Sequence, residues 1–167
     1  MSEIKRINDQ LKRAYEGKAW HGPSVSDVLA GVTAEQAAAH PIAGAHSIWE
    51  LTLHIATWER AGRRRIQESD PVEVSDEEDW PAVEDTSDEA WQNALEELRR
   101  NHEALREAIR GLDEARLEDI ILQPWTATTP GSVPGTQYSI YFLLHGVIQH
   151  DLYHAGQIAL LKKTRSN

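Results

Sequence analysis

An all-α chain folded as a four-helix bundle is what the sequence predicts, and two observations carry that expectation. Four long segments repeat their apolar residues at steps of three and four, the spacing that gathers side chains on one helix face. No stretch alternates apolar and polar residues convincingly enough for a sheet. Helices with one apolar stripe must bury it against each other, and a bundle is the simple solution.

The first segment runs from Ile4 to Glu16 and places Ile4, Ile7, Leu11 and Tyr15 on one face. Gly17-Lys18-Ala19-Trp20-His21-Gly22-Pro23 then breaks the pattern, and Val25 to Ala39 reads as short helical turns, with Thr33-x-x-Gln36 as a cap. The second long helix is expected over Ser47 to Glu68: Ser47-x-x-Glu50 has the capping-box form, and Leu51, Ile55 and Trp58 follow as its stripe. The acidic stretch from there to Asp88, with Pro71 and Pro81, reads as a solvated loop. Thr86-x-x-Glu89 suggests the next cap, and Trp91, Leu95, Leu98, His102, Leu105 and Ile109 form the clearest stripe in the chain before Gly111 offers a stop. A short turn near Asp113 to Leu117 and an irregular loop from Gln123 to Gly135 precede the last helix, about Ser139 to Lys163.

Composition bounds the function. The 167 residues suit one domain spanning 1–167, and the 40% hydrophobic and 26% charged residues match an ordinary globular chain. With no cysteine, neither disulfides nor protein thiols contribute, and any metal site has to be built from His, Asp and Glu. A net charge of −10 with no basic stripe disfavours nucleic acid. The chain has no run of about 18 apolar residues to cross a membrane, and its first residues, Met1-Ser2-Glu3-Ile4-Lys5-Arg6, lack the apolar stretch of a signal peptide. A cytoplasmic location, with no membrane partner, is the expectation.

The chemistry gathers on histidines. His150 and His154 lie four residues apart, roughly 40° around a helix, so both rings can reach one ion. They continue the stripe of Leu143, Val147, Ile158 and Leu161, where an unpaired ring nitrogen is costly, so both need a partner. His54, between Leu51 and Trp58 on a second helix, adds a third inward imidazole. Two buried histidines alone are commoner than a ligand pair; three on two helices look like a site. Gly146, one turn before His150, either leaves room for a ligand or lets two helices pack closely.

The segment Leu144-His145-Gly146-Val147-Ile148-Gln149-His150-Asp151-Leu152-Tyr153-His154-Ala155-Gly156-Gln157-Ile158, with Ser47-Ile48-Trp49-Glu50-Leu51-Thr52-Leu53-His54-Ile55, resembles the DinB-like family, including its YfiT-type metal-dependent hydrolases. Trp20-His21-Gly22-Pro23-Ser24 and the helix lengths extend the likeness over nearly the whole chain. The resemblance implies an up-down-down-up bundle in which His54, His150 and His154 bind a divalent ion, nickel or zinc first, with iron, manganese or cobalt as other choices. Members of the wider superfamily include bacillithiol transferases and a mycothiol-dependent maleylpyruvate isomerase. The function expected is therefore a hydrolase or a transferase using a low-molecular-weight thiol, acting on a small molecule and dimerising with itself. The rival expectation is a non-catalytic, stress-associated metal- or ligand-binding protein.

Other residues carry weaker expectations. Glu50 and His21 are the candidate catalytic groups, although Glu50 reads first as a helix cap and His21 as a residue of the pocket mouth. His145 lies roughly 140° around the helix from His150 and is not expected to reach the ion. His102 reads as a satisfied core histidine, His40 and His46 as surface or boundary residues, and Tyr153 and Gln157 as packing or hydrogen-bonding neighbours of the ligands. Asp151 is expected to face solvent or another helix, and Trp58 to wall a pocket.

Overall fold

The computed structural model describes residues 1–68, 72–121 and 137–164. Seven helices occur in this order among the described residues: α1 (Glu3–Glu16), α2 (Val25–Leu29), α3 (Ala34–Ala38), α4 (Ile48–Gln67), α5 (Asp76–Asp79), α6 (Asp88–Arg110) and α7 (Ile140–Lys163). The four long ones, α1, α4, α6 and α7, form the bundle. The expected Gln123–Gly135 loop lies outside the described residues.

Local chemistry sets most helix starts. Ser2, Ser24, Thr33, Ser47, Ser75, Ser87 and Ser139 each accept a backbone N–H of the first turn of their helix, satisfying a donor the helix leaves unpaired. Two expectations need correction. The cap of α6 is Ser87, which accepts from the Ala90 N–H, and not Thr86. The acidic stretch also contains α5, whose Ser75-x-x-Glu78 is a complete capping box of the same form as Ser47-x-x-Glu50.

Side-chain pairings fix the direction of each helix. Asn8 bonds the Arg106 carbonyl and Tyr15 stacks on His102, so α1 and α6 run antiparallel. Trp49 meets Trp91 while Glu59 meets His102, so α4 and α6 run parallel. His54 meets His150 and His154 while Gly62 lies against Val147, so α4 and α7 run antiparallel. With α1 also packed on α7, the bundle is up-down-down-up. The parallel step from α4 to α6 needs a connection that returns the length of the bundle, and α5 lies within it.

One end of the core gathers Trp49, Leu51, Ile55, Trp91, Leu98 and Ile158, with α2 and α3 folded over it. The other gathers Ile7, Leu11, Ile66, Leu105, Ile109 and Leu144. The Trp91 indole donates to the Val32 carbonyl at 2.9 Å, which anchors the α2–α3 region to α6. The bundle is not wholly helical: Ile120–Ile121 and Tyr138–Ser139 pair antiparallel, with Ile120 opposite Ser139. Two residues per strand are too few to leave an alternating pattern. Gly62 is the glycine of close helix packing, since a Cβ there would meet Val147 Cγ2 at 3.2 Å.

Candidate metal centre

The antiparallel crossing of α4 and α7 brings three imidazoles together. His150 Nε2 lies 2.9 Å from His54 Nε2 and 3.1 Å from His154 Nε2. His54 and His154 are each 6% exposed, so the cluster sits just below the surface. His54, His150 and His154 form the one group of three or more such side chains, among the described residues, arranged to hold a metal ion.

The outer ring nitrogens show which inner ones are free. His54 Nδ1 lies 2.9 Å from the Asp79 carbonyl and 3.0 Å from Asp79 Oδ1, and oxygens of both kinds only accept here, so Nδ1 carries the proton. His154 Nδ1 likewise donates to Gln157 Oε1 at 2.6 Å. Both Nε2 atoms therefore present lone pairs. A neutral His150 has one proton, so at most one of its two short contacts is a hydrogen bond, and the other leaves an Nε2 lone pair without a donor at about 3 Å. A cation among the three resolves that conflict, and holding the outer nitrogen by a carboxylate, carbonyl or amide is the usual support of a metal-binding imidazole. The donor set fits a divalent ion.

Burial keeps His150 and His154 neutral. It pushes the His150 imidazole down to about 3, helped by the neighbouring His154 and His54 and opposed by Asp79. Burial likewise brings His154 down to about 4, against the hydrogen bond it donates to Gln157. For Asp79, burial would raise the carboxyl, but hydrogen bonds from His54 and Trp58 outweigh it and hold the group below its ordinary value. Asp79 thus stays a carboxylate that can accept the His54 proton.

Asp79 and Trp80 are the site residues that sequence reasoning missed. Asp79 Oδ1 also accepts the Trp58 indole N–H at 2.6 Å. The Trp80 indole stacks on His54 with centroids 3.9 Å apart and, on its other side, on His46 at 3.5 Å. The available signals were the Ser75-x-x-Glu78 box and a lone tryptophan in an acidic run. Asp79→Ala should weaken divalent-metal binding by roughly 10–100-fold, because the His54 ring loses a support that fixes its tautomer. The Asp79 backbone carbonyl remains, so the lower end of that range is expected. Competition with a chelator measures it, and an unchanged affinity would remove Asp79 from the site.

The weaker candidates fall elsewhere. Glu50 caps α4 and is bonded to the Ser47 N–H and to His40 Nε2 at 3.0 Å. His21 is exposed in the turn closed by the Ala19–Gly22 bridge, and no hydrogen bond links it or Glu50 to the three histidines. His40 and His46 are exposed, as is Tyr153. His145 stays outside the cluster, against Tyr141. His102 is buried in the core, with Nδ1 at 2.8 Å from Glu59 Oε1. Asp151 faces another helix rather than solvent: it is fully buried against Glu59 of α4. Two ionised carboxylates have no hydrogen bond to share, and without a proton Glu59 Oε2 and both Asp151 oxygens lack a partner. One shared proton supplies it.

Gly146 leaves open space, since a Cβ there would meet nothing within 4 Å, so helix packing is not its role. Trp58 does wall a pocket, which Gly146 and His150 also line.

No helix among the described residues is long and apolar enough to cross a membrane. A crystal structure of a conserved protein from Enterococcus faecalis has the same fold, with a TM-score of 0.67 over 98% of this chain and 97% of that one at 17% identity. No curated protein matches the chain. The model of the DinB superfamily matches residues 20–158, a span that contains the three converging histidines. The chain belongs to the DinB superfamily.

Proposed function

We propose that this protein is a divalent-metal-dependent enzyme, a hydrolase or a transferase that uses a low-molecular-weight thiol, with nickel or zinc on His54, His150 and His154. The carrying observation is that three imidazole nitrogens converge while no fourth His, Asp or Glu among the described residues joins them. Structural sites are usually closed by four protein ligands, whereas three leave a position for chemistry. A divalent ion held there supplies Lewis acidity at an open position, to a water or to the sulfur of a small thiol.

The chain's own residues prepare that position. Asp79 and Gln157 keep the protons of His54 and His154 on the outer nitrogens. Trp80 covers one face of His54 and fixes its plane. We place the protein in the cytoplasm and expect a homodimer. One observation favours the non-catalytic alternative: Glu50 is engaged in a helix cap and His21 is turned to solvent, so neither proposed base attends the cluster.

Cobalt substitution tests the reading. A thiol or small anion should change the visible spectrum of the cobalt protein in a concentration-dependent way, and His150→Ala should abolish the response. A spectrum indifferent to every thiol and anion tried would mean a closed site and would favour the non-catalytic protein.

A further inference from the structure

Beside the three histidines, α4 and α7 flank a half-open pocket of about 210 Å³. His150 stands at one end. Trp58, Phe142, Leu143 and Val147 make its walls, and Arg65 and Tyr138 also line it. An apolar cavity of about 150 Å³ holds a benzene ring, so this one takes a ring or a short alkyl chain with one small polar group.

Arg65 sets the identity of that polar group. It is 8% exposed. Its Nε and Nη2 both donate to the Val72 carbonyl, at 3.4 and 3.2 Å, and its guanidinium lies 5.2 Å over the Trp58 ring. Nη1 has no protein partner among the described residues, and no Asp or Glu among them pairs with the group. That is unusual in this chain of net charge −10, where Arg13, Arg64, Arg99 and Arg106 each hold a carboxylate. Burying a guanidinium without a counter-charge is costly, and a bidentate anion is its natural complement. Tyr138, close enough for its acidity to be influenced by Arg65, adds a hydroxyl at that end.

We infer that this cavity binds a small carboxylate with an apolar body, its carboxylate on Arg65 and Tyr138 and its body between Trp58 and Val147, so that its far end faces His150. The substrate class follows: a monocarboxylate of about aryl-acetate size. Only the step from ligand to substrate rests on the open-metal reading; the anion end stands without the ion. Gly146 fits this assignment, because a side chain there would project into the cavity and meet no protein atom.

Titration calorimetry with phenylacetate and its neutral amide, phenylacetamide, tests the inference on metal-free and metal-loaded protein. Phenylacetate should bind the metal-free protein at least about tenfold more tightly than phenylacetamide, the worth of one charge-assisted bidentate contact. Arg65→Gln should reduce phenylacetate to the level of the amide, and Gly146→Val should abolish binding of both while the helical circular dichroism persists. Equal binding of acid and amide, no binding of either to the metal-free protein, or phenylacetate binding indifferent to Arg65→Gln would each overturn the proposal. If Arg65→Gln fails to fold, the acid–amide comparison on the unsubstituted chain and the Gly146→Val variant decide. Acid binding that needs the metal and ignores Arg65 would overturn this inference yet leave the open site intact. Acid binding to metal-free protein beside a silent cobalt spectrum would uphold the cavity and refute the open site.

Discussion

His154→Ala is expected to abolish stoichiometric divalent-metal binding while leaving the helical circular dichroism essentially unchanged. The two halves of that outcome have separate causes. His154 supplies one of three converging nitrogens, and its ring orientation depends on the bond from Nδ1 to Gln157. With two imidazoles left, the ion loses a third of its protein ligands. The helices do not rest on the ion, because each long one buries its own stripe: Ile7 and Leu11 on α1, Ile55 and Ile66 on α4, Leu98 and Leu105 on α6, Leu144 and Ile158 on α7 are almost wholly enclosed. Metal content by elemental analysis and far-ultraviolet dichroism of the same sample check the two halves. Outright unfolding of the variant would make the metal structural and would undercut the open-site reading.

The second large effect lies behind the site. Glu59→Ala should cost about 2–6 kcal/mol of stability, because it leaves two buried polar partners unsatisfied at about 1–3 kcal/mol each. Glu59 is fully buried, accepts from His102 Nδ1, and faces the fully buried Asp151. Its removal strands both partners where water cannot reach them. Denaturant unfolding of the metal-free protein measures the loss, and a cost below about 1 kcal/mol would show that the site relaxes or takes up water.

The same pair gives stability a pH dependence of definite sign. Burial pushes the Glu59 carboxyl up to about 8, and burial together with Glu59 pushes Asp151 well above its ordinary value. The folded chain therefore holds protons that the unfolded chain has already released. Their contribution is complete below the ordinary carboxylate value of 4.5 and is lost as pH rises through 8. Burial lowers His102, His150 and His154, so the stability they bring is present above 6.5 and lost as the solution becomes acidic. Between 6.5 and 8 the acid pair acts alone among these shifted groups. The Tm of the metal-free protein should fall across that window, and Glu59→Gln, which gives Asp151 a permanent donor, should flatten the fall. A Tm that rises from pH 6.5 to 8 would refute the shared proton.

Particular residues show where sequence reasoning reached and where it stopped. Ile4, Ile7 and Leu11, or Trp91, Leu98 and Leu105, announce a buried helix face by spacing alone, because helix geometry is local. Ser47-x-x-Glu50 announces a helix start for the same reason. His54, His150 and His154 were legible as inward-facing. Their convergence is a tertiary fact, set by the antiparallel crossing of α4 and α7. Glu59 drew no reading from the sequence and Asp151 read as facing solvent or another helix, because only the packing of α4 and α7 buries one against the other.

By itself, then, the sequence determined the four long helices, their apolar faces, the Ser47 cap of α4 and the histidines available to an ion, since each depends on residues a few positions apart. The tertiary structure alone decided that Asp79 and Trp80, 25 and 26 positions beyond His54, fold back to hold its ring. It also decided that Arg65 lies buried along the same pocket as His150, with no carboxylate paired to it among the described residues. Contacts between distant segments depend on how the helices pack together, and no short-range pattern in a single chain records that.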